Sequence, residues 1–227
     1  MTNEDRVEDS LDAPAVDPVA AIGSVPLLTR EEEVQLSRQM ESDLKRLRLL
    51  ALRSPVAVRE LLNWNELISL REMSSKELMP RGRRTGREIS EMRRKIAEAA
   101  QAAKSLKRRT PAAERDRVYE KIIALNLGEK KIRRLVNRIK KLAFQLGRTA
   151  SPRERELLLR PYAMSADELR ALDAEILRTE ESIQAVKRKI VSANMRLVLS
   201  IAGKYTTHCL ELSDLVQEGA LGLMRAA

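Results

Sequence analysis

The tightest constraint on the fold lies in "EKKIRRLVNRIKKLAFQLGR", Glu129 to Arg148. Ile132, Leu135, Val136, Ile139, Leu142, Ala143 and Leu146 recur at spacings of three and four, the inward stripe of an α-helix over about 129–147. Lys130, Lys131, Arg133, Arg134, Arg138, Lys140 and Lys141 line the other side. A helix this two-faced packs on a core with a solvated back, or lies on a membrane surface. The first is the ordinary case.

The rest of the chain repeats the pattern with helix-start signals. Thr29 and Glu32 form a capping box ahead of Leu36, Met40, Leu44 and Leu47, read as an inward stripe. Ser54 and Pro55 open a second helix, and Ser165 and Glu168 form another capping box. Thr110-Pro111 and Ser151-Pro152 read as further cap-plus-proline starts, with helical patterns near 87–108 and 111–126. Ile183, Val186, Ile190, Leu197, Val198, Ile201 and Tyr205 form one stripe from about 180 to 206. "MSSKELMPRGRRTGRE", with Pro80, Gly82 and Gly86, reads as a linker. No strand and no fixed-period repeat emerges. Only five residues are aromatic (Trp64, Tyr119, Phe144, Tyr162 and Tyr205), so aliphatic side chains must fill the core, which suits helix-on-helix packing. The expected class is all-α.

Charge divides the chain. Residues 1–33 hold nine acidic and two basic side chains, and residues 1–16 read as a disordered acidic tail. Residues 81–148 hold 22 basic and seven acidic ones, within a net charge of +10. Such a basic block attracts nucleic acid or an acidic protein surface, or is simply a solvated helical face. No apolar run approaches the roughly 18 residues that span a bilayer. No signal peptide is visible, and a cytoplasmic location is the default expectation.

No catalytic constellation appears. His208, the single histidine, and Cys209, the single cysteine, are neighbours in a turn, so their side chains point apart. One His and one Cys make no metal cluster, and no phosphate-cradling Gly motif is present. The chain reads as not an enzyme, with no cofactor.

The last helix is unusual. Ser213 reads as its cap, and Leu215, Val216, Gly219, Gly222, Leu223 and Ala226 fall on one apolar side. Each glycine costs about 1 kcal/mol against alanine inside a helix, tolerated where something approaches the backbone. Asp214, Gln217 and Glu218, at i, i+3 and i+4, share a face. Capping and solubility account for the two carboxylates as well as a docking face for a basic helix does.

"ANMRLVLSIAGKYTTHCLELSDLVQEGALGLMRAA" resembles regions 2.1 and 2.2 of the bacterial sigma-70 family of RNA polymerase initiation factors. "DPVAAIGSVPLLTREEEVQLSRQME" resembles region 1.2. Large members of that family place a long, variable helical insert between the two. The resemblance implies an acidic tail over 1–16, region 1.2 over 17–44, a basic insert over 45–160 and regions 2.1–2.2 over 161–227. It implies core RNA polymerase and promoter DNA as partners. Asp214, Gln217 and Glu218 match the positions that dock on the clamp helices of the β′ subunit. Leu27, Glu33, Asn194 and Leu197 match the pocket for the last thymine of the −10 element. An amide and a carboxylate suit a base edge, and leucine suits its face.

Departures limit the carry-over. Only "AAI" stands where the family has a longer helical stretch that reaches discriminator DNA, so that contact is not implied. Gly203, Ala220 and Cys209 replace a usual Lys, Asn and Gly. The aromatic melting platform of region 2.3 and the regions beyond it would follow Ala227, so the chain is expected to be part of a longer sigma factor. A short decoy that occupies the clamp helices, and a basic helical nucleic-acid-binding protein, are the alternatives.

Overall fold

A computed structural model describes residues 27–106, 110–206 and 211–226. The expected acidic tail at 1–16, and His208 and Cys209, lie outside them. All regular structure among the described residues is helical. In chain order it comprises α1 (Arg30–Leu52), α2 (Pro55–Ser69), a 3-10 turn (Ser75–Leu78), α3 (Gly86–Lys104), α4 (Ala112–Ala124) and α5 (Glu129–Arg148). Then come α6 (Pro152–Leu159), a second 3-10 turn (Arg160–Tyr162), α7 (Ala166–Ala193), α8 (Met195–Ala202) and α9 (Leu212–Ala226). There are two compact units: residues 41–183, and residues 1–40 with 184–227. Helices α1 and α7 contribute residues to both.

The starts of α1 and α7 form as their sequences dictate. Thr29 N–H donates to Glu32 Oε2 (2.7 Å) while Glu32 N–H donates to Thr29 Oγ1 (3.2 Å). Ser165 and Glu168 make the same reciprocal pair at 2.6 and 3.2 Å. Ser54 Oγ accepts from Ala57 N–H at 3.2 Å, with Pro55 opening α2. Two expected caps differ. The N-cap of α4 falls on Pro111 rather than Thr110, and Ser151 makes no side-chain cap bond to α6.

The unit of residues 41–183 is organised around α2, which packs against α3, α4, α5 and the second 3-10 turn. Its core is aliphatic, with Leu52, Leu61, Leu78, Ile96, Ile122, Leu135, Ile139 and Leu146 fully buried around Trp64. The α5 stripe is inward as expected, with Ala143 at its margin. The α1 stripe is only partly so, because Leu44 stays exposed while Leu47 packs on the core.

The segment expected to be a linker is built into this core. Ser74 and Glu77 form a capping box, Ser75 Oγ donates to Ile89 O (3.0 Å), and Leu78 is completely buried. Thr85 and Glu88 then cap α3. The chain after α4 is pinned to the same place. Asn126 takes the left-handed conformation just past the helix, φ 48°, where Asn is favoured. Arg48 donates to its Oδ1 (3.0 Å) and to Leu127 O (2.8 Å). Gly128 N–H donates to Leu78 O at 2.8 Å. A Cβ at Gly128 would stand 2.6 Å from Met79 O and 3.0 Å from its carbonyl carbon.

Lys131 departs from the solvated face assigned to it. It is 6% exposed, with Nζ 6.0 Å from the Trp64 ring centroid and 3.9 Å from Met73 Sδ. Burial holds its ammonium below the ordinary lysine range; Arg134 adds to this, and Glu77 and Glu60 oppose it. Asp173 shows the acidic counterpart. Its Oδ1 is buried with no hydrogen-bond partner, and burial pushes its carboxyl up, against the pull of Lys140 and with the push of Glu180.

Two outcomes test this packing. Gly128→Ala is expected to destabilise the protein by about 2 kcal/mol, because backbone has nowhere to move; urea denaturation reads the change. Asp173→Asn is expected to raise Tm at neutral pH. A carboxyl whose folded pKa is raised contributes stability only below its ordinary range and loses it as pH rises through the folded value. The gain from Asn therefore vanishes as pH falls into the ordinary carboxylate range, which thermal melts across pH will show.

Candidate docking and base-contact sites

The unit of residues 1–40 and 184–227 carries every residue singled out for function. Its small core joins α8 to α9. Val198 and Ala202 of α8 and Val216 of α9 are buried, with Met195, Leu199, Leu212, Leu215 and Leu223 packed around them. Lys187 Nζ, on α7, reaches Met224 O at 3.5 Å, placing a cation at the negative end of α9.

The expected continuous stripe from 180 to 206 does not form. The chain breaks at Asn194, whose φ −97° and ψ 6° are non-helical. Its amide Nδ2 and its N–H both donate to Ile190 O (2.7 and 3.2 Å) at the end of α7, while its carbonyl accepts from Leu197 N–H and Val198 N–H to begin α8. The break rotates the pattern. Val198 is buried, but Leu197 is 55%, Ile201 48% and Tyr205 65% exposed.

Helix α9 begins at Leu212, two residues earlier than a Ser213 cap requires, and Ser213 Oγ instead lies 3.5 Å from Glu211 Oε2. The apolar side read from its sequence also splits. Gly219 faces inward, where a Cβ would stand 2.5 Å from Val198 Cγ1. Gly222 is exposed and a Cβ there meets nothing within 4 Å. The close approach that Gly219 permits is therefore to α8, within the chain. Spacing alone revealed the missing Cβ but not which helix needed it.

With Val216, Gly219 and Leu223 turned to α8, the opposite face is left to solvent. Asp214, Gln217, Glu218, Leu221, Gly222 and Arg225 are all exposed along it. Neither Asp214 nor Glu218 has an ion-pair partner within 4 Å among the described residues, so both carboxylates are presented outward. Leu221 and Arg225 extend this face beyond the three residues chosen from sequence; an i+7 and i+11 count from Asp214 finds them.

The four base-contact candidates fall into two pairs. Leu27, 61% exposed, precedes α1, and Glu33 is exposed in its first turn with its N–H on Thr29 O (3.0 Å). Asn194 and Leu197 sit together at the α7–α8 break, joined by the Leu197 N–H to Asn194 O bond of 3.0 Å. One amide proton of Asn194 is thus committed to the backbone before any ligand arrives. Among the described residues no group of acidic, His or Cys side chains is arranged to hold a metal, and no helix is long and apolar enough to cross a membrane.

The family model "Sigma-70 factor, region 1.2" matches residues 20–45, and "Sigma-70 region 2" matches residues 190–227. In these two segments the chain is similar to the sigma-70 family. Both matched segments lie largely in the unit that carries α8 and α9. Among its relatives, the RNA polymerase sigma factor RpoD of Neisseria gonorrhoeae is 43% identical over 63 residues, 28% of this chain and 10% of that protein. The RNA polymerase sigma-B factor of a Nostoc species is 47% identical over 60 residues, 26% of this chain and 18% of that protein. The chain thus matches less than a fifth of the length of either relative.

The two glycines of this region 2 helix separate its internal from its external face. Gly219→Ala is expected to cost roughly 1–3 kcal/mol, since Val198 is stiff at χ1 and buried. Gly222→Ala is expected to stabilise by about 1 kcal/mol. Val198→Ala should recover part of the Gly219→Ala loss in a double-mutant cycle read by urea unfolding.

Proposed function

We propose that this chain carries the polymerase-docking part of an RNA polymerase sigma factor. In this reading α9 docks on the clamp helices of the β′ subunit of core RNA polymerase through Asp214, Gln217 and Glu218. The observation that carries it is the division of α9 into two faces. One face is held on α8 by Val216, Gly219 and Leu223. The other presents two unpaired carboxylates, an amide and Leu221 from a single rigid helix. A basic coiled coil is the complement of that surface, giving charge attraction at the rim and apolar contact beside it.

In the same reading the unit meets promoter DNA at the −10 element. Leu197 supplies an exposed apolar platform and the Asn194 side chain a polar group beside it. Leu27 and Glu33 complete a pocket for an extruded base, with the Glu33 carboxylate accepting from a base N–H. Residues 17–44 act as region 1.2, residues 161–227 as regions 2.1 and 2.2, and residues 45–160 as a family-variable insert. The work is binding and positioning, with no bond made or broken by the chain. The names of the two relatives, both RNA polymerase sigma factors, support the reading.

Binding to core RNA polymerase tests it directly. Wild type is expected to bind, and Asp214→Lys with Glu218→Lys to weaken binding by about tenfold or more, since like charges then oppose a basic partner. Both positions are exposed, so the melting temperature should hold. Equal binding by wild type and double variant would remove α9 as the docking face.

A further inference from the structure

The basic residues of the middle of the chain are not spread evenly over a solvated face. Six of them converge on one cavity of about 650 Å³ in the unit of residues 41–183. Lys76 comes from the first 3-10 turn, Arg81 and Arg84 from the following loop, and Lys130, Lys131 and Arg133 from the start of α5. Two carboxylates share the lining, Glu77 and Glu129, and both are engaged. Glu77 accepts from Ser74 N–H (3.1 Å), and Glu129 lies 3.7 Å from Arg133 Nε. Lys76, Arg81, Lys130 and Lys131 have no carboxylate within 4 Å among the described residues.

The cavity is a fixed feature. Gly128 lies against the Met79 carbonyl, so the loop and the start of α5 cannot separate without breaking core contacts. Gly82 holds φ 137°, open only to glycine at low cost, to turn the loop between the two arginines. Helix α5 begins without a side-chain cap, leaving its first N–H groups and positive end toward this region. Lys131 is packed against Trp64, its ammonium 3.9 Å from the Met73 sulfur. Arg84 Nε is buried with no partner, while its terminal nitrogens reach Pro80 O at 3.3 Å and Glu88 Oε1 at 3.9 Å. Six cations against two lining carboxylates leave an excess of positive charge in the free protein. An anion in the cavity relieves it.

We propose that this cavity binds the phosphodiester backbone of nucleic acid, independent of base sequence. The lining has no aromatic ring to stack a base and no Asn, Gln, Ser or Thr to read a base edge. Cations and glycine backbone suit phosphate oxygens. Six cations from three segments exceed what a single phosphate needs and match a run of them. The site lies in the insert, apart from the residues proposed to dock polymerase, so the two proposals stand or fall separately.

The test uses the full chain with a labelled, mixed-sequence DNA duplex. Arg81→Ala, Lys130→Ala and Arg133→Ala, all at exposed positions, are expected to weaken binding by about tenfold or more and to lower the salt slope by roughly two to three. A control removing the same charge elsewhere on the unit (Arg93→Ala, Arg117→Ala and Lys121→Ala) should change affinity less than about twofold. If the cavity triple melts early, Lys76→Ala alone reads the same site. Equal loss in the two triples would mean that net charge, not the cavity, binds DNA, and overturns the proposal. So would inorganic tripolyphosphate binding more tightly than the duplex. Loss of core-polymerase binding with duplex binding intact would assign the cavity to an acidic protein surface instead.

Discussion

At Gly128 a hydrogen atom takes the place of a side chain, and much of the larger unit follows from it. The backbone can lie against Met79 O and donate to Leu78 O only because no Cβ intervenes. That approach carries Leu78 into the core and fixes where α5 begins. It also sets Lys130, Lys131 and Arg133 opposite Lys76, Arg81 and Arg84. The smaller unit uses the same device at Gly219, which lets α9 rest on Val198 and leaves its acidic face outward. In each case the glycine is a packing residue whose result is an exposed surface.

The two surfaces have opposite chemistry. Helix α9 offers carboxylates from one rigid element, where the positive start of the helix favours Asp214. The cavity offers cations from three segments held together by core packing. An aliphatic core with few rings permits this, since closely packed Leu, Ile and Ala bring helices near enough for long Lys and Arg side chains to converge. Lys131 is the extreme case, with its stem in the core and its ammonium against Trp64.

Local signals in the chain were legible where the interaction is local. The capping boxes at Thr29 and Ser165, the proline start at Ser54 and the α5 stripe need only neighbours three or four residues away, and all form. Signals that depend on a distant partner are not legible in the chain. "MSSKELMPRGRRTGRE" has the composition of a loop, yet Leu78 and Ser75 are buried, because α3 and Gly128 close over them. The stripe through Tyr205 fails for a local reason instead, because the backbone at Asn194 leaves helical geometry and Leu197 and Ile201 turn to solvent.

The helical class, the start of most helices, the concentration of basic charge and the likeness to sigma-70 regions 1.2 and 2 are all readable in the chain, because each depends on residue type and short-range spacing. The sequence also placed Asp214, Gln217 and Glu218 on one helical face, since 3.6-residue periodicity is enough for that. Packing assigns Gly219 to α8 and leaves Gly222 to solvent, which no spacing distinguishes. It alone brought Lys76, Arg81 and Lys130 to one cavity. The reason is physical: a periodicity says which residues share a face, but only packing says what that face meets.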